Sequence, residues 1–448
     1  MRNSRQPTPV SVRGTHHRQL RSCLFEELGS WESRQIDTGE ATSQNGSSEE
    51  SDNATRKAAI TRPTAQRRSG GETVFGQTAN RQVLVVGDSV VGQVLTALLQ
   101  RAGFDPVLTA ASRSTSEPTV TYLNGTATDV LGTLGVGDCA LGACVPIDQI
   151  TVRSVRADGT LPASPSPGGA EHTETPVVIP TQALHRGLAE TRWTTRARKS
   201  VETLSRRDSG VVVEFENGVR EWFDIVVDAT VTGPSLPDFR GEPSSAALTE
   251  WNLALDTPVD NSMTDVWQPT TAVQHFPDPG GDGSHLRVTA VDSETAITDA
   301  VHETVGDAVV IDQASGARPT ARTVRLPDKG VSRSWWGSGR VCLVARPAGL
   351  STPASGSPVA LGIENAVVLV SELARDGRAV TDVVEAYASD RARRLRESPT
   401  TIADPSSADA DFLAAIPSQL QNLMRLRTAA LRTPVDLQLP PRRDDRLR

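Results

Sequence analysis

The feature that most constrains this chain is a short apolar run followed by a turn bounded by glycines and an apolar helix. Residues 82–86 read Gln-Val-Leu-Val-Val, a pattern typical of a parallel strand buried on both faces. Val90 to Ala102 carries apolar residues at helical spacing, and Gly103 follows as a helix stop. Phe104 to Thr109 is predicted to form a second strand. We therefore expect a β-α-β unit at the start of the folded part of the chain.

The turn between this strand and helix reads Gly87-Asp88-Ser89-Val90-Val91-Gly92. In the dinucleotide-binding pattern G-x-G-x-x-G, the first Gly permits the turn, the second admits a pyrophosphate and the third lets the helix pack on the strand. Ser89 stands at the second of these positions. A diphosphate would lie at the N-terminus of the helix, where backbone N–H groups favour anions, although Asp88 opposes this. Taken alone, the turn fits a nucleotide site and a purely structural turn equally well.

The first 80 residues differ in composition from the rest of the chain. They are rich in Ser, Thr, Gln, Asn and Arg, and residues 42–53 are entirely small or polar. Such a segment cannot bury enough apolar surface to offset its chain entropy. The low overall content of hydrophobic (37%) and aromatic (4%) residues fits a partly unpacked chain. We expect residues 1–80 to be a disordered extension.

Charge and cysteine content exclude several classes of protein. The formal net charge is −8, and both end segments carry more basic than acidic residues, so the body is more acidic still. An acidic body repels a polyanion, which argues against a nucleic-acid partner. The chain contains no run of eighteen apolar residues, so no membrane span is predicted. The N-terminus lacks the apolar core of a secretory signal. Four cysteines are too few for a disulfide scaffold, so we expect a cytoplasmic protein.

Further elements follow from periodicity and turn signals. Residues 200–204, 210–216 and 220–229 are predicted to form a strand meander with a hairpin turn at Glu216-Asn217-Gly218. Polar–apolar alternation at His285 to Val291 and near Trp251 to Leu255 predicts a mostly β second domain over residues 248–325. Residues 339–344 predict another buried strand. Helices are predicted over 181–191, 359–373, 382–396 and 409–431.

No side-chain motif for hydrolysis or metal binding stands out. Cys139 and Cys144 are five residues apart with no nearby histidine, and the seven histidines form no ligand pattern, so no metal site is expected. Neither a G-x-S-x-G elbow nor a P-loop occurs. Trp335 and Trp336 precede the 339–344 strand, and we expect them to pack beneath the sheet.

The order of elements from Arg81 to about Leu431 resembles the FAD-dependent monooxygenase superfamily, the aromatic-hydroxylase-like flavoproteins. Four stretches carry the resemblance. They are the glycine turn, Val227-Asp228-Ala229-Thr230-Val231-Thr232-Gly233-Pro234, residues 339–356 with Arg346, Pro353 and Gly356, and Tyr387 with Arg391 and Arg394.

This resemblance implies an α/β architecture: a Rossmann-like FAD/NAD(P)-binding fold, a mostly β substrate domain and a helical C-terminus. Residues 81–240 and 326–400 would form the FAD-binding domain, and residues 241–325 the substrate domain. Residues 401–448 would supply a C-terminal helix and a basic tail.

The resemblance also implies which residues would contact FAD: Gly87, Ser89, Val90, Val91, Gly92, Ala229, Arg346, Pro353 and Gly356. Several positions depart from the family pattern. Serine replaces glycine at position 89, no carboxylate stands near Ala110, Ala345-Arg346 replaces Gly-Asp, and the family's helix-start arginine falls on Thr181. These changes argue for weakened or lost FAD binding, although Arg346 offers a cationic partner for the cofactor phosphate or a substrate anion.

Three functional hypotheses follow. The first is an FAD-dependent oxidoreductase, monooxygenase-like, that takes electrons from NAD(P)H and acts on a small apolar or aromatic molecule. The second is a catalytically silent relative that serves as a binding or scaffold module. The third is a plain nicotinamide dehydrogenase, which would have no need of the stretch from Ala345 to Leu373. The sequence singles out no catalytic side chain for any of them, which is compatible with chemistry carried by a cofactor.

Overall fold

The computed structural model describes much of the chain between residues 81 and 439. Residues 1–80 and 440–448 lie outside the description, as do 110–118, 137–139, 141, 157–158, 161–163, 166–175, 192, 194–195, 198–199, 231–246, 269, 292–319, 326–331, 346–356, 376, 398–417 and 432–438. The predicted N-terminal disorder therefore falls outside the described residues, as does the predicted helix over 409–417.

The helices are α1 (Val90–Arg101), α2 (Gly125–Leu134), α3 (Thr181–Glu190), α4 (Ser357–Leu373), α5 (Val380–Glu397) and α6 (Ser418–Leu431). The strands in the first half are β1 (Gln82–Val86), β2 (Asp105–Thr109), β3 (Val120–Leu123), β4 (Val145–Pro146), β5 (Gln149–Arg156), β6 (Gly159–Thr160), β7 (Ser164–Pro165), β8 (Val177–Pro180), β9 (Arg196–Ala197) and β10 (Val201–Arg207). Those in the second half are β11 (Gly210–Phe215), β12 (Arg220–Phe223), β13 (Ile225–Asp228), β14 (Ala247–Leu255), β15 (Ser262–Trp267), β16 (Thr271–Pro277), β17 (Ser284–Ala290), β18 (Thr320–Arg325), β19 (Gly337–Ser338) and β20 (Val341–Leu343).

A central sheet has the strand order β19-β20-β13-β1-β2-β9 within the described residues. β1 runs parallel to β13 and to β2, and β13 runs parallel to β20. Val83 to Val86 are buried, as are all four residues of β13, because the sheet is covered on both faces. The predicted β-α-β unit and the predicted buried strand near residue 341 are confirmed.

The predicted meander over 200–229 is correct for its first strands and wrong for its last. β10, β11 and β12 form an antiparallel sheet that ends at Phe223. Asp224 bends the chain and accepts a hydrogen bond from the Gln82 N–H at 2.8 Å. β13 then enters the central sheet beside β1, because its continuous apolar run suits a strand buried on both faces.

The mostly β region forms an eight-stranded sheet with the order β18-β14-β17-β16-β15-β5-β6, and β7 pairs with β5. β5 to β7 come from residues 149–165, well before the other strands in the chain. β15 joins β5 in parallel, with Asp265 opposite Val152. The remaining described pairings along this order are antiparallel.

Three helices complete the described C-terminal part. α4 packs against α1, α5 and α6. Leu420, Leu423 and Met424 of α6 are buried in the same cluster as the apolar residues of α1 and α4. Trp336 is buried and Trp335 is partly buried against that cluster, in keeping with a packing role. Among the described helices, none combines the length and the apolar character that crossing a membrane requires.

Candidate cofactor site

The turn between β1 and α1 requires glycine at both ends. Gly87 has φ +109°, and a Cβ there would lie 2.9 Å from the backbone nitrogen of Thr230. A Cβ on Gly92 would lie 1.9 Å from the carbonyl oxygen of Gly87. Both glycines therefore permit the close approach of the helix, the turn and the end of β13, whether or not a ligand is bound.

Ser89 is the N-cap of α1, and its side chain faces the protein. Its hydroxyl accepts a hydrogen bond from the Gly92 N–H at 3.1 Å and donates one to the Ala229 carbonyl at 2.6 Å. The residue is only 8% exposed, because its side chain turns inward to the Ala229 carbonyl. It does occupy one of the helix N–H groups that an anion would otherwise use.

The other predicted contacts in this turn act through the backbone. The side chains of Val90, Val91 and Ala229 are fully buried. Val91 packs against Gly362 of α4, where a Cβ would come within 2.6 Å of the valine. The Ala229 N–H donates to the Val86 carbonyl at 2.8 Å. Only the backbone groups of these three residues are therefore suited to meet a cofactor.

A polar contact between α1 and α3 lies beside the turn. The carboxamide nitrogen of Gln93 donates to the Asp88 carbonyl at 2.8 Å and lies 2.7 Å from Nδ1 of His185. Because the Asp88 carbonyl can only accept, the Gln93 group beside it is the –NH₂ group. This group therefore also donates to Nδ1 of His185, and Nδ1 accepts. The Gln93 side chain is buried, whereas the Asp88 side chain is exposed. The backbone of the turn is thus tied to α3 through one glutamine.

At Thr181, where the family pattern has an arginine, the side chain is paired with another side chain of this protein. The Thr181 hydroxyl lies 2.9 Å from the Thr121 hydroxyl, and its backbone N–H donates to the Thr119 carbonyl at 2.9 Å. Thr109 is buried at the end of β2, and its carbonyl accepts from the Gly87 N–H at 2.7 Å. Neither threonine extends a charge toward a ligand. Ala110 lies outside the described residues.

The third family stretch is only partly described. Arg346, Pro353 and Gly356 lie outside the described residues. The flanking segments are held firmly: the Asn365 side-chain amide donates to the Val344 carbonyl at 2.8 Å, and the Tyr387 hydroxyl to the Leu343 carbonyl at 2.6 Å.

The predicted Tyr-Arg helix is α5, and its arginines fasten it to α4. Arg391 pairs with the buried Glu364, and Arg394 contacts the same carboxylate at 3.2 Å. Arg391 also donates to the Asn365 side-chain carbonyl at 3.2 Å. Burial raises the pKa of the Tyr387 hydroxyl, which keeps it neutral as a donor. This stretch is structural in the described residues.

The eight-stranded sheet carries a buried polar layer on the face toward α6. Arg427 of α6 donates to Asp265 at 2.8 Å, and its guanidinium lies 4.9 Å above the Trp267 ring. Arg287 donates to Asn252 at 2.9 Å and to the Val120 carbonyl at 2.7 Å. Burial raises the pKa of Asp265 to about 6, although Arg427 acts in the opposite direction. The other buried polar residues of this layer are Glu250, Gln274 and Thr289.

Redox-active or metal-binding side chains do not collect at this site. Cys342 is fully buried in β20, and burial raises the pKa of its thiol, so the thiol stays protonated and unreactive. Within the described residues, no three His, Cys, Asp or Glu side chains are grouped to hold a metal ion.

The arrangement of sheets and helices is that of the FAD-dependent aromatic hydroxylases and monooxygenases, so the predicted fold class and resemblance are confirmed at the level of the fold. Klebsiella pneumoniae HpxO, solved with FAD and uric acid, superposes with a TM-score of 0.55 at 17% identity over 80% of this chain and 99% of that one. The 2,6-dihydroxypyridine-3-hydroxylase of Arthrobacter nicotinovorans gives 0.52 at 15% identity over 70% and 88%. A tetrameric 2-methyl-3-hydroxypyridine-5-carboxylic acid oxygenase gives 0.50 at 17% identity over 72% and 89%. No family model matches the chain, and no curated protein matches its sequence significantly.

The residues around the β1–α1 turn fit the diphosphate half of FAD. The helix N-terminus lies at the carboxyl ends of β1 and β13, where backbone N–H groups favour anions, and the side chain of Ser89 turns inward to the Ala229 carbonyl. The specific side-chain contacts are not supplied in the described residues, because Thr181 is paired with Thr121. The described residues therefore fit a diphosphate through their backbone N–H groups.

Sequence reasoning missed Gln93, His185 and the Asp265–Arg427 pair. Gln93 carried a signal, because it is a polar residue among the apolar positions of α1. Asp265 carried another signal, because it is a charged residue between the apolar residues Met263 and Trp267 on one face of a strand. Neither signal identifies the partner.

Proposed function

We propose that this chain is an FAD-dependent oxidoreductase, a monooxygenase-like enzyme of the cytoplasm that takes electrons from NAD(P)H. The substrate would be a small apolar or aromatic molecule. The observation that carries the proposal is the position of the α1 N-terminus, which lies beside the carboxyl ends of β1 and β13. Dinucleotide cofactors bind at this position in open parallel sheets.

Each group near the turn has a defined part in this proposal. The N-terminus of α1 would receive the diphosphate through backbone N–H groups and the helix dipole. Gly87 and Gly92 keep the turn tight, and the hydroxyl of Ser89 joins it to Ala229. Arg346, Pro353 and Gly356 would complete the site from the segment before α4. When bound, FAD supplies the redox chemistry, and the protein binds and orients it.

The visible spectrum of the purified full-length chain tests this proposal directly. We expect flavin absorption that survives desalting, or that returns after incubation with FAD. We also expect FAD to raise the melting temperature, because a ligand that binds only the folded state stabilises it. NAD(P)H oxidation by the flavin-loaded protein would then be assayed. A folded protein that takes up no flavin at low or high salt would contradict the proposal.

A catalytically silent relative is the second candidate. It is favoured by the internal pairing of Thr181 with Thr121, and by the hydrogen bond that Ser89 makes to a helix N–H group. Such a protein would keep the fold and lose the cofactor. It predicts a colourless protein whose melting temperature does not change on addition of FAD.

A further inference from the structure

The starting observation is a buried carboxamide in an apolar helix. Gln93 is fully buried in α1, where its neighbours in the sequence are glycine and valine. Burying an amide costs free energy unless its polar atoms are hydrogen-bonded. Its nitrogen makes two contacts, whereas its oxygen has no hydrogen-bond partner among the described residues. The two contacts of the nitrogen are therefore the hydrogen bonds that offset the cost of burying this incompletely satisfied amide in the helix.

Those two contacts join three elements. The nitrogen donates to the Asp88 carbonyl in the turn and to Nδ1 of His185 on α3. We refer to Gln93, His185 and the Asp88 carbonyl as the Gln93 clasp. An apolar residue at position 93 would pack in the same helix without holding the turn.

The clasp fixes the direction of one backbone N–H group. The peptide unit between Asp88 and Ser89 is planar and trans, so its C=O and N–H point in opposite directions. Its carbonyl points to the Gln93 side chain. The Ser89 N–H therefore points away from Gln93. This is the peptide that precedes Ser89, the N-cap of α1, at the end of the helix where a diphosphate would bind.

We infer that the Gln93 clasp is a positioning device that orients the Ser89 N–H toward the diphosphate of a bound dinucleotide. This inference rests on the proposed function and adds positioning residues to it. Gln93 and His185 touch no reacting atom, and they act through the Asp88–Ser89 peptide. Because the clasp acts on the diphosphate, it should affect the binding of ligands that contain ADP. It should not affect contacts with the flavin ring.

Binding measurements on the full-length chain test this inference with three variants. Gln93→Met removes the two donors and keeps a side chain of similar length. His185→Gln retains an acceptor for the Gln93 amide. Thr96→Val is the matched control, because Thr96 is an equally buried polar residue of α1 whose hydroxyl donates to the Gly92 carbonyl and not to the Asp88 carbonyl. The probes are FAD, ADP and riboflavin, and the melting temperature of each ligand-free variant is recorded.

We expect Gln93→Met to weaken FAD and ADP binding by about tenfold or more, since a hydrogen bond to an anion is lost. Riboflavin affinity should not change, and Thr96→Val should bind FAD like the unaltered protein. His185→Gln should weaken FAD binding less than Gln93→Met does, because it retains an acceptor for the Gln93 amide. The ligand-free Gln93→Met protein should keep its melting temperature, because an apolar side chain is well suited to this position.

The outcomes separate the clasp from the cofactor assignment. If the unaltered chain binds FAD and Gln93→Met binds it equally well, the clasp inference is wrong and the proposed function stands. If the chain binds ADP but no FAD, and Gln93→Met loses ADP, the clasp is supported and the flavin assignment fails. If the unaltered chain binds neither FAD nor ADP, both are overturned.

Discussion

At the scale of single residues, the β1–α1 turn is decided by contacts between backbone atoms. Gly92 lies inside a helix, where alanine is normally the more favourable residue. Here the Gly87 carbonyl occupies the space that a Cβ would need, at 1.9 Å. A backbone atom cannot move aside as a flexible side chain can. The glycine is therefore required by packing, and the requirement holds with or without a nucleotide.

We expect Gly92→Ala to destabilise the protein by about 1–3 kcal/mol, because overpacking outweighs the gain in helix propensity. Gly132→Ala is the matched control, since Gly132 is an exposed helical residue of α2 with nothing within 4 Å of a Cβ. It should stabilise by about 0.5–1 kcal/mol. Urea unfolding measures both, and equal effects of the two substitutions would contradict this account.

At the scale of elements, α6 is attached to the eight-stranded sheet by a buried ion pair. Arg427 and Asp265 are each about 1% exposed. Removing the charges from water is costly, and their attraction repays this only with good geometry and further hydrogen bonds. Arg427 also lies over the Trp267 ring, which adds a favourable cation–π contact. We therefore expect the pair to specify where the helix docks more than it adds to stability.

The pair makes stability depend on pH in a defined direction. The pKa of Asp265 is raised from 3.8 to about 6 in the folded state, so the folded state binds a proton that the unfolded chain has already released. The contribution of Asp265 to the free energy of unfolding should therefore fall as the pH rises from about 4 to about 6, by about 3 kcal/mol in total.

Comparison with Asp265→Asn isolates this effect, because asparagine keeps the shape and does not titrate. Denaturant unfolding at several pH values should show the unaltered protein losing stability relative to the variant as the pH rises from 4 to 6. A constant difference between the two proteins over that interval would mean that Asp265 titrates at its ordinary value.

At the scale of the whole molecule, α6 links the helices of the central-sheet region to the eight-stranded sheet. It packs on α4 and α5 and reaches the sheet through Arg427. Four of its apolar side chains are buried, namely Leu420, Leu423, Met424 and Leu426. Each contributes about 1.5–3 kcal/mol of burial, which together is comparable to the whole stability of an ordinary domain.

Deleting residues 418–448 should therefore abolish the cooperative thermal transition measured by calorimetry. Arg427→Met is the control, because it removes the ion pair and keeps the helix. We expect that variant to retain a single transition at a lower temperature, since Asp265 is left buried without its partner. A truncated protein that melts as cooperatively as the full chain would show that α6 is dispensable to the fold.

Much of the architecture was predictable because its determinants are local. The apolar run at 82–86, the glycines of the turn and the helix that follows each act within a few residues. The strand after Asp224 was placed in the wrong sheet. This strand shows little polar–apolar alternation of the kind that marks the preceding strands. Which of the two sheets it joins depends on β1, which is far away in the sequence. The order of the remaining elements agrees with the fold that the resemblance implied.

The sequence alone determined the β-α-β start and the order of the later elements. Periodicity and glycine conformational freedom are properties of neighbouring residues, so they can be identified without a structure. Only the tertiary structure decided that Gln93 meets His185, 92 positions away, and that Asp265 meets Arg427, 162 positions away. A buried polar residue must find a partner, but which distant residue supplies it depends on how the helices and sheets pack.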